Sequence, residues 1–182
     1  MSAIHPVLNP ARVRSDLSRL GRESEQYLST VESFHDGEFD KPSHCEGWNR
    51  AMVIADAEVL TGELKAEEVG IGPKRFPATS IPAVLIAEVV VHHADLDTQW
   101  VVEEADPDSL LNAVTAGVLN LSVKDSPGLR IVTDEGDEWV VGDGSLRVEG
   151  DREGILDWLS RGRTEGIYLP EGVDEAPELL AW

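Results

Sequence analysis

Glu88 and His92 stand four residues apart in a segment whose nearest neighbours, Leu85, Ile86, Ala87, Val89, Val90 and Val91, are all apolar. On a helix, residues i and i+4 share one face with Cβ atoms about 5–6 Å apart, so a carboxylate and an imidazole at this spacing can share one metal ion. Helical bundles build metal centres in this way, from side chains projected off facing helices. The same spacing also makes an ordinary ion pair on a solvated helix face. Here the apolar surroundings leave Glu88 little polar face from which to reach solvent. Asp56 lies beside the apolar stripe of the preceding helical segment, at a depth where a bare carboxylate is costly to bury. Facing Glu88 and His92, it is the candidate third ligand. Three protein ligands leave positions open for water or substrate, as in catalytic metal sites.

The residues around this pair have plainer readings. His93, Asp95 and Asp97 form the solvated end of a helix, although Asp95 is also placed to accept a hydrogen bond from His92 and orient it. Cys45, in Ser43-His44-Cys45-Glu46-Gly47-Trp48, precedes a helix N-terminus that would favour a thiolate. With no triad partner identifiable, it reads as a half-buried packing thiol. His5 and His35 read as solvent-facing. Gly142-Asp143-Gly144 reads as a hairpin turn, because a phosphate loop needs a strand–glycine–helix context.

Positioning the pair requires a helical framework. Val13, Leu17, Leu20, Tyr27, Leu28, Val31 and Phe34 recur at three- and four-residue steps and predict an amphipathic helix over 11–35. A second helix is expected from Trp48 to about Glu67, with Val53, Ala57, Leu60 and Leu64 as its stripe. Gly70, Gly72, Pro73 and Pro77 make residues 69–79 a loop. Ser80 then caps a third helix with Pro82 in its first turn, running to about Trp100. Its valines would also suit a buried strand; length and the capping signal favour the helix. A fourth helix is expected over 107–123, capped by Asp106. Beyond it, Leu129–Thr133, Glu138–Val141 and Ser145–Glu149 read as short strands separated by Asp/Gly turns. Asp151 caps a last helix over 152–160, and residues 162–182 are loop-rich. The fold class is α+β: a helical bundle over 1–124, then a small α+β domain over 125–182.

Composition narrows the partners. The 182 residues carry 15 Lys+Arg against 35 Asp+Glu, a net charge of −20. The acid is spread evenly, −9 up to Glu104 and −11 beyond it. Such a surface repels a phosphate backbone, and no basic patch is segregated from it, so no nucleic-acid partner is expected. A single cysteine excludes an internal disulfide framework and a four-cysteine zinc site. Residues 1–20 lack a signal-type apolar core, and no stretch approaches the roughly 18–20 apolar residues that span a bilayer. The expectation is a cytoplasmic protein without a membrane partner.

Two motifs carry a family resemblance. Pro42-Ser-His-Cys-Glu-Gly-Trp-Asn-Arg50 ahead of a helix, followed by Glu88-Val-Val-Val-His-His-Ala-Asp-Leu96, resembles the mycothiol-dependent maleylpyruvate isomerase family, within the wider DinB-like group of metal-binding helical bundles. Ile155-Leu-Asp-Trp-Leu-Ser-Arg-Gly-Arg163 and the end Ala176-Pro-Glu-Leu-Leu-Ala-Trp182 are similar to the family's small C-terminal domain. The resemblance implies a divalent metal, usually zinc, held by Glu88, His92 and a second-helix histidine whose place is taken here by Asp56. It further implies an arginine near the metal, for which Arg163 and Arg161 are the candidates, and a low-molecular-weight thiol such as mycothiol held as thiolate. The implied activity is thiol-dependent isomerisation or S-transfer on a small electrophile or carboxylate. With two carboxylates and one imidazole the ligand set is harder than the family's, which brings manganese or iron into competition with zinc.

The chain departs from the family twice. The second-helix histidine is replaced, and the long helix that relatives carry before the Glu/His helix has no counterpart in the residues before Ser80. An apolar groove is expected where that helix is missing, covered by a homodimer contact or another partner. These departures keep a second reading open, a non-catalytic binding or regulatory module that retains the bundle with a degenerate metal site.

Overall fold

The computed structural model of the protein describes residues 10–35, 37–59, 68–71, 74–77, 81–122 and 127–179, with the backbone alone at 10–14, 55–59, 68–71, 74–77 and 122. The elements run α1 (Pro10–Glu32), α2 (Arg50–Val59), β1 (Glu68–Ile71), β2 (Lys74–Pro77), α3 (Ile81–Asp95), α4 (Pro107–Ser122), β3 (Leu129–Thr133), β4 (Glu138–Val141), β5 (Leu146–Gly150), α5 (Arg152–Arg161) and β6 (Ile167–Tyr168). The chain forms two compact units, divided within α4 between Ala113 and Val114.

In the first unit α3 is the central helix. Thirteen of its fifteen residues are buried, and Glu88 and Ala94 are the two that are not. So apolar a segment is helical rather than extended because its fifteen residues satisfy their own backbone groups without strand partners. The helix stops at Asp95, short of the expected Trp100, because Asp97 adopts a left-handed backbone (φ 52°) that ends the turn. The expected Ser80 cap lies outside the described residues.

α1 turns most of the expected stripe inward, adds two acidic residues to that face, and leaves two leucines outside it. Asp16, Glu23 and Tyr27 are buried, with Leu20, Val31 and Phe34 half-buried, whereas Leu17 and Leu28 of the expected stripe are 46% and 53% exposed. Two acidic groups sit inside because they are satisfied there. Asp16 accepts from Arg19 at 2.8 Å and from the Asn112 amide at 3.2 Å, while Glu23 accepts the backbone N–H of Asp106 at 3.2 Å. Tyr27 packs in a cluster with Val53, Val89 and Leu96, which binds α1, α2 and α3 together.

Within the expected loop over 69–79, residues 68–71 and 74–77 form an antiparallel pair in which Glu68 faces Pro77 and Ile71 faces Lys74. Only Gly72 and Pro73 separate the two strands in sequence. Pro77 stands at a strand end, where its missing N–H costs little.

The second unit follows the expected order almost residue for residue. Its sheet runs β4-β3-β5-β6, with β3 antiparallel to β4 and parallel to β5. Leu129, Ile131, Val148, Ile155, Leu156 and Trp158 form its buried core. Asp151 caps α5 by accepting the Gly154 N–H at 2.7 Å, and Gly162, left-handed at φ 69°, closes it. Gly142-Asp143-Gly144 corrects the hairpin expectation: β4 and β5 lie on opposite sides of β3, so the turn is a crossover. Gly128 makes room for it, since a Cβ there would fall 1.6 Å from the Asp143 carboxylate. β6, within the expected loop region, adds a short antiparallel edge to β5.

Candidate metal centre

The last two turns of α3 present Glu88, His92 and Asp95 on one face. The imidazole of His92 lies between the two carboxylates, with Nε2 3.3 Å from Glu88 Oε2 and Nδ1 3.1 Å from Asp95 Oδ2. All three side chains are largely withdrawn from solvent, at 8%, 14% and 4% exposure for His92, Glu88 and Asp95. The i, i+4 expectation is thus met in geometry, and Asp95 proves to be a buried partner of His92 rather than part of a solvated helix end. Burial alone would strip a proton from the ring. The hydrogen bonds to Asp95 and then Glu88, with their negative charges, overcome it and raise the His92 pKa from 6.5 to about 9. The C-terminal end of the helix dipole favours the same charge.

A second element reaches the same face. Residues 41–50 form a turn held by Ser43 N–H to Trp48 O at 3.0 Å, Trp48 N–H to Cys45 O at 3.0 Å and a Pro42–Asn49 bridge, with Gly47 left-handed at φ 77°. The turn is tied to the end of α3. The His44 N–H donates to Asp95 O at 2.9 Å, the His44 ring lies 3.1 Å from the Asp97 carboxylate, and the buried Arg50 donates to Asp97 O. Arg50 also pairs with Glu38 at 2.7 Å and lies over the Phe34 ring at 5.0 Å. These ties set Cys45 beside the histidine: Cys45, His92 and Asp95 each bring one potential donor atom within 4.8 Å of the other two. Cys45, expected only as a packing thiol, does pack against the Tyr27–Val53–Val89–Leu96 cluster, and it belongs to this constellation as well. Its signal in the sequence was the Gly-Trp turn ahead of α2. Nothing in the spacing shows that this turn meets α3.

His93, one residue on, faces away from that pair. It is 1% exposed, stacked on Trp100 at 3.9 Å and 9°, and edge-on to Tyr27 at 5.7 Å. Its Nε2 lies 2.7 Å from the Thr30 hydroxyl, which also reaches Gln26 O at 3.2 Å. Burial lowers its pKa to about 4 and keeps the ring neutral. With Arg22, Gln26, Thr30, Trp100 and Glu104 it lines an open cleft of about 830 Å³.

Asp56 stands on α2, but its side chain lies outside the described residues, and with it the third-ligand expectation. The two candidate arginines belong to the second unit. Arg161 closes α5 and donates to Ser160 O at 3.0 Å, and Arg163, exposed, lies 3.4 Å from Asp157. Among the described residues no helix is long and apolar enough to cross a membrane.

No family model matches the sequence, and no curated protein matches it. The structure is similar over its full length to crystal structures of the mycothiol-dependent maleylpyruvate isomerase and of a variant of that enzyme with one histidine replaced by alanine. Each comparison gives a TM-score of 0.69 at 17% identity and covers 100% of both chains. Helices followed by a small four-stranded sheet, in this order and over the whole length, give the protein the fold of the mycothiol-dependent maleylpyruvate isomerase.

Proposed function

We propose that the chain is a metal-dependent, thiol-using isomerase or S-transferase acting on a small electrophile or carboxylate. The observation that carries the reading is the buried Glu88–His92 pair, 3.3 Å apart on the central helix of a fold shared with a mycothiol-dependent isomerase. The donors fit a divalent ion: a carboxylate and an imidazole on one face, shielded from water, with further carboxylate and thiol donors adjoining. Glu88 and His92 would hold the ion, with Asp56 as third ligand. Zinc is the metal the resemblance implies, and manganese or iron suits the two carboxylates. Bound there, the ion supplies the charge that keeps a small thiol such as mycothiol in its thiolate form. Asp95, accepting from Nδ1–H, fixes the tautomer in which Nε2 faces Glu88. Arg161 or Arg163 is the proposed partner of a substrate carboxylate, through the bidentate geometry of the guanidinium.

A second reading rests on the same ring. Both nitrogens of His92 already have carboxylate partners, so the protonated triad is electrostatically complete without a metal, as in a binding module that retains only the fold. Metal content of untagged protein purified without chelator separates the two. About one divalent ion per chain, lost in His92→Ala, supports the enzyme reading. No metal, with none taken up from added zinc or manganese, leaves the triad structural. Restoring a histidine with Asp56→His tests the third position: zinc affinity rises if residues 56, 88 and 92 converge, and stays unchanged if they do not.

A further inference from the structure

We propose that Cys45, His92 and Asp95 together hold a divalent ion on the Nδ1 edge of His92, with Glu88 retained as the hydrogen-bond partner of Nε2–H. The inference rests on the reading that this end of α3 binds a metal, and it gives that metal a different ligand set. Asp95 Oδ2 already faces Nδ1 at 3.1 Å, so an ion shared by Asp95 and His92 takes that nitrogen. Cys45 brings its donor within 4.8 Å of both. Zinc–ligand bonds of about 2.0–2.3 Å place tetrahedral donors about 3.4–3.7 Å apart. Side-chain rotations of about an ångström therefore close the site, without movement of the backbone that carries it.

That backbone is held. The His44 N–H donates to the carbonyl of Asp95, so the residue before the thiol is fixed to the residue that supplies the carboxylate. The Cys45 N–H donates to Ser43 Oγ at 3.1 Å, and Arg50 fastens the far side of the turn to Asp97. Glu88, 3.3 Å from Nε2, completes a carboxylate–histidine–metal arrangement of the kind that fixes a ligating ring. On metal uptake the thiol proton and the Nδ1 proton leave to solvent, and Nε2–H stays with Glu88. A thiolate, an imidazole and a carboxylate form a softer set than two carboxylates and an imidazole, and they select zinc over manganese. Three protein ligands leave a position open.

The test uses full-length, chelator-stripped protein. Cys45 is the single cysteine, so every thiol signal is its own. The expected result is one zinc per chain in competition with a chromophoric chelator, and a thiolate-to-cobalt charge-transfer band on loading with cobalt(II). Cys45→Ser abolishes the band and weakens zinc binding more than Glu88→Gln does. The latter, as loss of an outer partner, costs about 10–100-fold. Asp95→Asn weakens zinc as Cys45→Ser does. Zinc binding that is lost in His92→Ala but unchanged in Cys45→Ser, with no charge-transfer band, overturns this ligand set and leaves the Glu88–His92 reading intact. Absence of any metal binding in the unaltered chain overturns both. Should Cys45→Ser fail to fold, zinc protection of the unaltered thiol against a disulfide reagent decides: a labelling rate that zinc does not slow refutes the inference.

Discussion

His92 and His93 are sequence neighbours driven to opposite charge states, and this gives the metal-free chain a pH profile with its maximum near pH 6.5. His92 titrates at about 9 when folded, against 6.5 when unfolded. Between those values the folded chain keeps a proton that the unfolded chain has lost. Its contribution is complete below pH 6.5 and disappears as pH rises through about 9. His93 titrates at about 4 when folded, so between about 4 and 6.5 the unfolded chain takes a proton that the folded chain refuses. Stability therefore falls again as pH drops from 6.5. Each span, at about 1.4 kcal/mol per pH unit, is worth about 3 kcal/mol, an appreciable part of a domain's total stability. Urea denaturation in the presence of chelator from pH 4.5 to 9.5 reads both limbs. His92→Gln should flatten the upper limb and leave the lower one. His93→Phe, which keeps a ring against Trp100, should flatten the His93 share of the lower limb, above what the carboxylates contribute. Parallel loss of stability by the unaltered chain and His92→Gln between pH 6.5 and 9 would refute the assignment of that limb to the Glu88–His92–Asp95 triad. Added zinc should lift the upper limb, because the ion takes the unprotonated ring.

Other perturbations address the support of the site and the rest of the fold. Arg50→Met removes the guanidinium that ties the Cys45 turn to Glu38 and Asp97 O; it should cost about 2–3 kcal/mol by urea denaturation and weaken zinc uptake with it. Gly154→Ala places a Cβ 2.3 Å from the carbonyl oxygen of Gly166 and 2.7 Å from its Cα, backbone that cannot rotate away. A loss of about 1–3 kcal/mol is expected, and thermal denaturation unchanged from the parent would show that the second unit yields there. If the apolar groove expected from the sequence is covered by a second copy of the chain, light scattering at low concentration gives twice the chain mass, and a clean monomer counts against that expectation.

The sequence was most informative where local chemistry and the observed element agree. In β3 to α5, short β-like runs, Asp/Gly turns and the Asp151 cap mark boundaries that the structure reproduces within about a residue. It was least informative where a polar residue is buried by a distant partner. Asp16 and Glu23 join Leu20 and Tyr27 on the inward face of α1 because Asn112 and the Asp106 N–H, more than eighty residues further along the chain, satisfy them there. The register of β1 with β2 and the crossing of β3 by the Gly142–Gly144 turn are likewise pairings that no local spacing specifies. The candidate site divides in the same way. Glu88 and His92 share a face by helical arithmetic, whereas Cys45 reaches them through tertiary ties such as the His44–Asp95 backbone hydrogen bond, which joins segments about fifty residues apart.

The two ligand sets differ in which edge of one imidazole they use, and this gives each carboxylate an exchangeable role. With an ion on Nε2, Glu88 ligates and Asp95 orients. With an ion on Nδ1, Asp95 and Cys45 ligate and Glu88 orients. In either case the outer carboxylate raises the basicity of the ring and fixes its tautomer. Removing Glu88 or Asp95 alone therefore weakens a metal in both arrangements, and neither variant by itself identifies the edge. Cys45 does. Its thiol lies within reach of His92 together with Asp95, while Glu88 lies against the other nitrogen of the ring. A thiolate signal on the metal thus assigns the roles of His92, Asp95 and Glu88 together. The absence of that signal, with metal bound, reassigns all three to the Nε2 arrangement.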